Sequence, residues 1–194
     1  MNATSTLPPG YSFAWQINLK DNLRLNLLLQ VTGLFWLGLL FVPLWWAFSQ
    51  LRPRGEEIIL INDSLGFLLN FLLVGLIAIS LHELAHGAAF WWFSRTLPKF
   101  GLGPGYAYAA LPGWYFPKRQ YLVVGLLPLI GLTTLGLAVV PFLPNSLLGP
   151  FFLGMALNAG GSIGDVYICL RIVLDAPDVL IKDTGDGIEV YRRA

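Results

Sequence analysis

Four long apolar stretches dominate this 194-residue chain. They cover residues 27–49, 65–93, 121–140 and 147–174. Each has at least the ~20 residues that cross a ~30 Å hydrocarbon core as a helix. Lipid offers no hydrogen-bond partners, so a spanning backbone must form a helix or a closed barrel. We therefore predict an all-α polytopic membrane protein with about four transmembrane helices, of which the third should be kinked at Pro128.

The composition excludes several other classes of protein. Apolar residues make up 56% of the chain and charged residues only 12%, about half of the usual ~25% of a soluble domain. Intrinsic disorder, an ordinary cytosolic enzyme and a nucleic-acid-binding surface are all poor fits, and the net charge of +1 gives no signature of a polyanionic partner. The single cysteine, Cys169, rules out an intramolecular disulfide and a cysteine-rich zinc site. We expect a single membrane domain over residues 1–194, in contact with lipid.

Basic residues are distributed unevenly around the predicted spans. Ten of the 12 Lys and Arg residues lie in the N-terminal segment, between spans two and three, or from the end of span four onward. Only Arg52 and Arg54 lie on the opposite side. Because cytoplasmic loops carry the excess of positive charge, both termini should be cytoplasmic. The chain is then a multi-pass protein of the inner (plasma) membrane with a cytoplasmic tail over residues 175–194.

Short strands are predicted near both termini. Apolar and polar residues alternate from Tyr11 to Lys20, which is the period of a strand. Residues 179–182 and 188–191 flank a glycine-containing turn at 183–187, a pattern typical of a hairpin. A small cytoplasmic sheet would explain both segments, and amphipathic tails lying on lipid head groups would explain them equally.

The second span contains His82-Glu83-Leu84-Ala85-His86, which fits the H-E-x-x-H pattern. On a helix, histidines at i and i+4 lie on one face, so both imidazoles reach one metal ion, for which Zn²⁺ is the natural choice. Glu83 beside them is placed to act as general base toward a metal-activated water. The alternative is that these groups lie at a helix end or hydrogen-bond between helices. Against it, the only two histidines of the chain both fall in the pattern.

A third zinc ligand is needed, and no further histidine exists. Asp165 is the carboxylate that the fourth span offers at depth. Counted from the predicted cytoplasmic ends of their spans, His82, His86 and Asp165 lie at matching depths. An unpaired carboxylate within the membrane is costly, so Asp165 is expected to complete the metal site.

Asn158, Ser162 and Asp165 are spaced four and three residues apart and form one stripe on the predicted fourth helix. Asn158 and Ser162 are therefore candidates for orienting a ligand or the substrate. They would equally serve as hydrogen-bonding groups between helices.

The segment between spans two and three is rich in glycine, proline and aromatic residues. Tyr106-Ala107-Tyr108-Ala109 alternates like a short strand, which would allow an extended substrate to pair with it beside the site. Tyr106 and Tyr108 are therefore candidate substrate contacts. An interfacial aromatic loop is the other interpretation.

These residues resemble a known family. The HELAHG motif at 82–87, the later stretch from Asn158 to Asp165 and the Gly185-Asp186-Gly187 tail are similar to a bacterial family of integral-membrane zincin metalloproteases, and more distantly to site-2 intramembrane proteases. The resemblance implies that His82, His86 and Asp165 bind zinc and that Glu83 is the base. Site-2 proteases usually have a proline after the asparagine and a glycine after the aspartate. In this chain no proline follows Asn158, and Val166 follows the aspartate, so the resemblance to site-2 proteases implies no substrate role for Asn158.

The sequence thus predicts a zinc-dependent intramembrane or juxtamembrane hydrolase that cleaves a membrane protein or peptide with metal-activated water. One alternative is a catalytically idle metal-binding subunit of a larger membrane complex. Another is a metal-dependent membrane enzyme that acts on something other than peptides. An intact Glu83 argues against the idle subunit, because a purely structural metal site does not need it.

Overall fold

The structure, a computed structural model, describes residues 2–51, 64–103 and 105–193. Four helical segments within these ranges are long and apolar enough to cross a membrane. They are Leu23–Gln50, Leu65–Ser94, Lys118–Phe142 and Asn145–Val173. The prediction of four spanning helices with short terminal β-structure is confirmed. Arg52 and Arg54, on which one side of the predicted topology rests, lie outside the described residues.

The first two spans are unbroken helices, α1 (Leu23–Gln50) and α2 (Ser64–Ser94). The Asn22 side chain caps α1 by accepting a hydrogen bond from the backbone N–H of Leu25. Large apolar side chains such as Leu34 and Leu76 are exposed along both helices. In water such surfaces would be costly, so they fit helices that face lipid.

The third span is assembled from consecutive segments: α3 (Lys118–Leu126), a π-helical stretch (Leu127–Leu132), α4 (Thr133–Val139) and a 3-10 turn (Val140–Phe142). The regular α-helix is interrupted at the position where the sequence predicts a kink. Proline lacks the N–H that would continue the i to i−4 ladder, so the turns around Pro128 are rearranged.

The fourth span is divided at Ser162 into α5 (Asn145–Gly161) and α6 (Ile163–Val173). The sequence predicts one continuous helix here, and the structure differs. Two consecutive glycines precede Ser162 and lower helix propensity. The Ser162 hydroxyl also donates to the Asn158 carbonyl at 2.8 Å, and its own carbonyl accepts from the Val166 N–H that starts α6. The break places Asp165 in the first turn of a new helix.

Two antiparallel sheets lie beside the helices. The larger contains β1 (Tyr11–Asn18), β4 (Tyr115–Pro117), β5 (Val179–Asp183) and β6 (Gly187–Arg193), in the order β1-β6-β5-β4. The smaller pairs β2 (Lys99–Gly103) with β3 (Tyr106–Ala110). The predicted N-terminal strand and the predicted C-terminal hairpin are therefore both confirmed. The first residue of β6 must be glycine, because φ at Gly187 is 155° and a Cβ there would clash with the Ile17 carbonyl oxygen.

The larger sheet packs on the ends of α2, α3 and α6. Its core contains Phe90, Phe116, Ile172 and Ile181, each at most 1% exposed. Asp175, just after α6, accepts hydrogen bonds from Arg192 and from the Trp15 indole, which tie both terminal strands to the end of the fourth span. These bonds, chiefly that from Arg192, lower the pKa of Asp175 to about 2. The sheet is therefore fixed against the same helices that carry the candidate site.

Candidate metal centre

Three of the residues predicted from the sequence meet between two helices. His82 and His86 lie on α2, and Asp165 lies in the first turn of α6. His82 Nε2 is 3.1 Å from Asp165 Oδ2, and His86 Nε2 is 3.3 Å from Asp165 Oδ1. One ligand atom from each of the three lies within 4.8 Å of the other two. Asp165, which follows His86 by 79 positions in the sequence, thus joins the two histidines in one compact group.

The donor set fits zinc. Tetrahedral zinc with bonds of ~2.0–2.2 Å holds neighbouring ligand atoms about 3.4 Å apart, close to the two separations observed here. Two imidazoles and one carboxylate also match the ligands of catalytic zinc sites, which keep a fourth position open. Both histidines are at most 9% exposed, so the group is held within protein and not in lipid.

The far side of each imidazole is also held. His86 Nδ1 is 2.9 Å from the Val124 carbonyl. His82 Nδ1 is 3.0 Å from Asn158 Oδ1, while Asn158 Nδ2 donates to the Pro128 carbonyl at 3.0 Å. Asn158 Oδ1 and the Val124 carbonyl oxygen are both acceptors, so each Nδ1 donates to its partner in the tautomer that carries the ring proton there. In that tautomer each Nε2 offers its lone pair to a metal, which is the arrangement common among metal-binding histidines.

Glu83 lies beside this group on α2. It lines the same cavities as His82, and Ala109 of β3 offers its backbone N–H to the carboxylate. The other oxygen, Oε2, is buried and has no hydrogen-bond partner among the described residues. A buried, unpartnered carboxylate oxygen is costly unless it interacts with something else, such as a water or a substrate group.

Two adjoining cavities open on the cluster. One of about 170 Å³ is lined by α2, β3, α3, α6 and the hairpin of β5 and β6, and the other of about 240 Å³ lies between α2, β3 and α5. Tyr106 and Tyr108, the candidate substrate contacts, both line the smaller one. The Tyr106 hydroxyl donates to Asp186 at 2.8 Å, and burial together with this bond raises its pKa to about 12.

Ser162 is fully buried, and among the described residues its hydroxyl bonds to the Asn158 carbonyl within the junction of α5 and α6 and not to the cluster. Asn158, by contrast, contacts His82 directly. Asn158 and Ser162 share one face of the predicted helix, but in the structure only Asn158 hydrogen-bonds to the cluster.

Sequence reasoning misses the contribution of the C-terminal hairpin. Asp183 lines the smaller cavity and accepts hydrogen bonds from the Tyr121 hydroxyl and from the Gly185 N–H at 2.8 Å. Burial raises the pKa of Asp183 to about 6. From sequence Asp183 is only the first residue of a turn. No local signal indicates that the turn packs beside a site formed by α2 and α6.

Comparison with known families decides the classification. The family model described as DUF3267, putative zincin peptidase, matches residues 75–180. The chain belongs to this family. The DUF3267 match includes His82, Glu83, His86 and Asp165, and it confirms the resemblance to zincins drawn from the motif. It ends before the Gly185-Asp186-Gly187 turn. No curated protein and no solved structure matches the chain.

Proposed function

We propose that the chain is a zinc-dependent peptide hydrolase that acts within or next to the membrane, with His82, His86 and Asp165 as metal ligands. The observation that carries the proposal is the convergence of these three side chains, with both imidazole Nε2 atoms turned toward one carboxylate. Membership of a family of zincin peptidases supports it independently of the geometry.

Zinc, when bound, supplies the Lewis acidity that activates water and polarises a carbonyl. The protein's own contribution is proton transfer and positioning. Glu83, with its unpartnered Oε2, takes a proton from the attacking water and delivers it to the leaving nitrogen. Asn158 and the Val124 carbonyl keep the imidazoles oriented. Loss of such supporting bonds typically costs 10- to 100-fold in metal affinity or activity.

An extended segment of a membrane protein or peptide would suit the space beside β3. Within the described ranges β3 pairs with β2 and with no second strand. Ala107 and Ala109 of β3 line the cavity that contains the cluster. A substrate that pairs with this strand would place its backbone beside Glu83, and Tyr106 and Tyr108 would contact its side chains.

We propose that both termini lie on the cytoplasmic side of the inner membrane, because ten of the 12 Lys and Arg residues fall on that side of the predicted spans. A reporter that is active only in the cytoplasm should give signal when fused after Arg193 and none when fused after Asn145. Equal signal from both fusions would contradict the four-span topology. Expression of each fusion, measured by immunoblot, serves as the control.

The function itself is tested by metal content and turnover. Protein purified in detergent should hold about one zinc per chain, the number that one pair of histidines and one carboxylate can bind. Removing the zinc with a chelator should abolish cleavage of a membrane-segment peptide, and adding zinc back should restore it. Protein that binds no metal after purification with zinc present would refute the proposal.

A further inference from the structure

A carboxylate that the proposed mechanism does not use faces the smaller cavity. Asp183, the last residue of β5, lines this cavity together with Glu83 and His86 and is only 9% exposed. Its two hydrogen-bond donors, the Tyr121 hydroxyl and the Gly185 N–H, are both neutral. Within the described ranges no Lys or Arg lies at ion-pair distance from Asp183, and none lines the cavity. The carboxylate is therefore buried without a cation.

Two neighbouring carboxylates are paired with cations. Glu189 of β6 lies 2.9 Å from Lys182, and Asp175 lies 2.8 Å from Arg192. Lys182 directly precedes Asp183, but consecutive side chains of a strand point to opposite faces, so the ammonium group is directed away from the cavity. The bonds from Arg192 lower the pKa of Asp175 to about 2, whereas burial raises that of Asp183 to about 6. The sheet thus supplies no positive charge to Asp183.

The hairpin turn does not require the negative charge of Asp183. An asparagine at this position can accept the Gly185 N–H with its amide oxygen and donate its amide N–H to the Tyr121 hydroxyl oxygen, so a neutral side chain satisfies both neighbours. Asn and Asp are both favoured in turns for the same reason. A buried carboxylate without a cation is costly. A charge that the turn does not need, held at the wall of a cavity, indicates a cation that binds in that cavity.

The charges around the cavity favour the same conclusion. Three carboxylates line it, those of Glu83, Asp165 and Asp183, and its two imidazoles are neutral when they bind a metal. Zn²⁺ carries two positive charges and balances two of the carboxylates, so one negative charge remains. A ligand that brings one positive charge would neutralise the cavity.

We propose that Asp183 binds a positively charged amino group of the substrate and thereby determines which peptides the site accepts. This inference rests on the proposed hydrolase function. The amino group belongs either to a lysine side chain or to the free amino terminus of the peptide. Because Asp183 and Glu83 line the same cavity, a peptide whose amino group lies at Asp183 has its adjoining backbone near Glu83.

The predicted topology brings suitable substrates to this position. Asp183 lies in the tail that follows the fourth span, on the side of the membrane predicted to be cytoplasmic. Membrane proteins carry their excess of lysine and arginine on the cytoplasmic flanks of their spans. A membrane segment with a lysine at that flank is therefore the substrate that the charge of Asp183 selects.

The test measures peptide binding and not turnover. Full-length wild-type protein with bound zinc, in detergent at 4 °C, is titrated with fluorescent membrane-segment peptides, and mass spectrometry confirms that they stay intact. Each peptide has one lysine at one of several successive flank positions, or norleucine, a similar side chain without the charge, in its place. At the best position the lysine peptide should bind at least about tenfold more tightly, because losing one partner of a buried charge pair costs at least that factor. Peptides with free and acetylated amino termini are compared in the same way.

Asp183→Asn should abolish the preference for the charged peptide. Affinity for that peptide should fall at least about tenfold, whereas affinity for the uncharged one, which also reports that the variant is folded, should change less than about twofold. Asp186→Asn is the matched control. It also neutralises a carboxylate of the hairpin that accepts from a tyrosine hydroxyl, but Asp186 does not line the cavity, so the ratio of the two affinities should stay that of the wild type.

Equal binding of charged and uncharged peptides by the wild type, in both the lysine and the amino-terminal series, would overturn the inference even if Asp183→Asn fails to fold. Equal loss of the preference in Asp183→Asn and Asp186→Asn would also overturn it. So would a second zinc per chain that Asp183→Asn removes, because the cation would then be a metal. A preference that depends on Asp183 would support it, and the series that shows the preference identifies the source of the amino group.

The outcome for binding is separate from the outcome for hydrolysis. Binding selective for the charged peptide, dependent on Asp183 but never followed by cleavage, would refute the hydrolase and leave the amino-group site in place. Cleavage of lysine and norleucine peptides with equal binding of both, and no effect of acetylation, would refute only the amino-group site.

Discussion

Replacing Glu83 with glutamine should abolish peptide cleavage while leaving zinc in place. Glutamine keeps the shape of the side chain but cannot accept the proton of the attacking water, and loss of general-base help costs about 100- to 10,000-fold in rate. Glu83 is proposed as the base and not as a ligand, so metal content should be unchanged. Turnover of a membrane-segment peptide and zinc per chain are the two measurements.

Asp178→Asn is the matched control for Glu83→Gln. It also neutralises a carboxylate, but Asp178 is exposed and is not one of the clustered residues, so rate and metal content should equal those of the wild type. If Glu83→Gln cleaves as fast as the wild type, Glu83 is not the base. If the wild type and Glu83→Gln both bind zinc but neither cleaves any peptide, the idle metal-binding subunit becomes the better explanation.

Replacing Asp165 with asparagine should release the metal. The carboxylate lies between both imidazole Nε2 atoms and supplies the negative charge of the ligand set. Changes to groups that merely support a ligand weaken metal binding 10- to 100-fold, so loss of a ligand should weaken it by more than about 100-fold. Zinc per chain, measured after equilibration with buffers of increasing chelator concentration, reports the change directly.

Asn158→Ala is the comparison variant for Asp165→Asn, because it should lower zinc affinity by a smaller factor. It removes the bond to His82 Nδ1 and leaves the three proposed ligands intact, so its loss of zinc affinity should be smaller. Membrane insertion of both variants is checked by extraction at alkaline pH. Full zinc retention by inserted Asp165→Asn would show that the third ligand lies elsewhere.

The sequence predicts the spans well, because the thickness of the bilayer imposes a length on apolar helices. The second span, expected at 65–93, is the helix Ser64–Ser94. The interruption at Pro128 follows from the missing N–H of proline. The division at Ser162 is not predicted, since hydropathy alone does not register two glycines and a back-bonded hydroxyl within an apolar run.

The part of the candidate site that the sequence predicts consists of polar side chains that are rarely found deep within a membrane span. His82, His86 and Asp165 could be grouped because histidines and buried carboxylates are rare in spans, and counting residues gave their relative depth. The groups that orient the imidazoles could not be predicted. Every residue has a backbone carbonyl, so only the packing of the third span against α2 and α5 selects those of Val124 and Pro128.

The wall of the smaller cavity has a consequence for biosynthesis. Leu19, which follows β1, and the turn between β5 and β6 both line it, and β1 pairs with β6. Among the described elements, β5 and β6 are synthesised last. The wall of this cavity is therefore complete only after the C-terminal hairpin has been made and has paired with β1, so a chain truncated before β5 would carry His82, His86 and Asp165 without the complete wall.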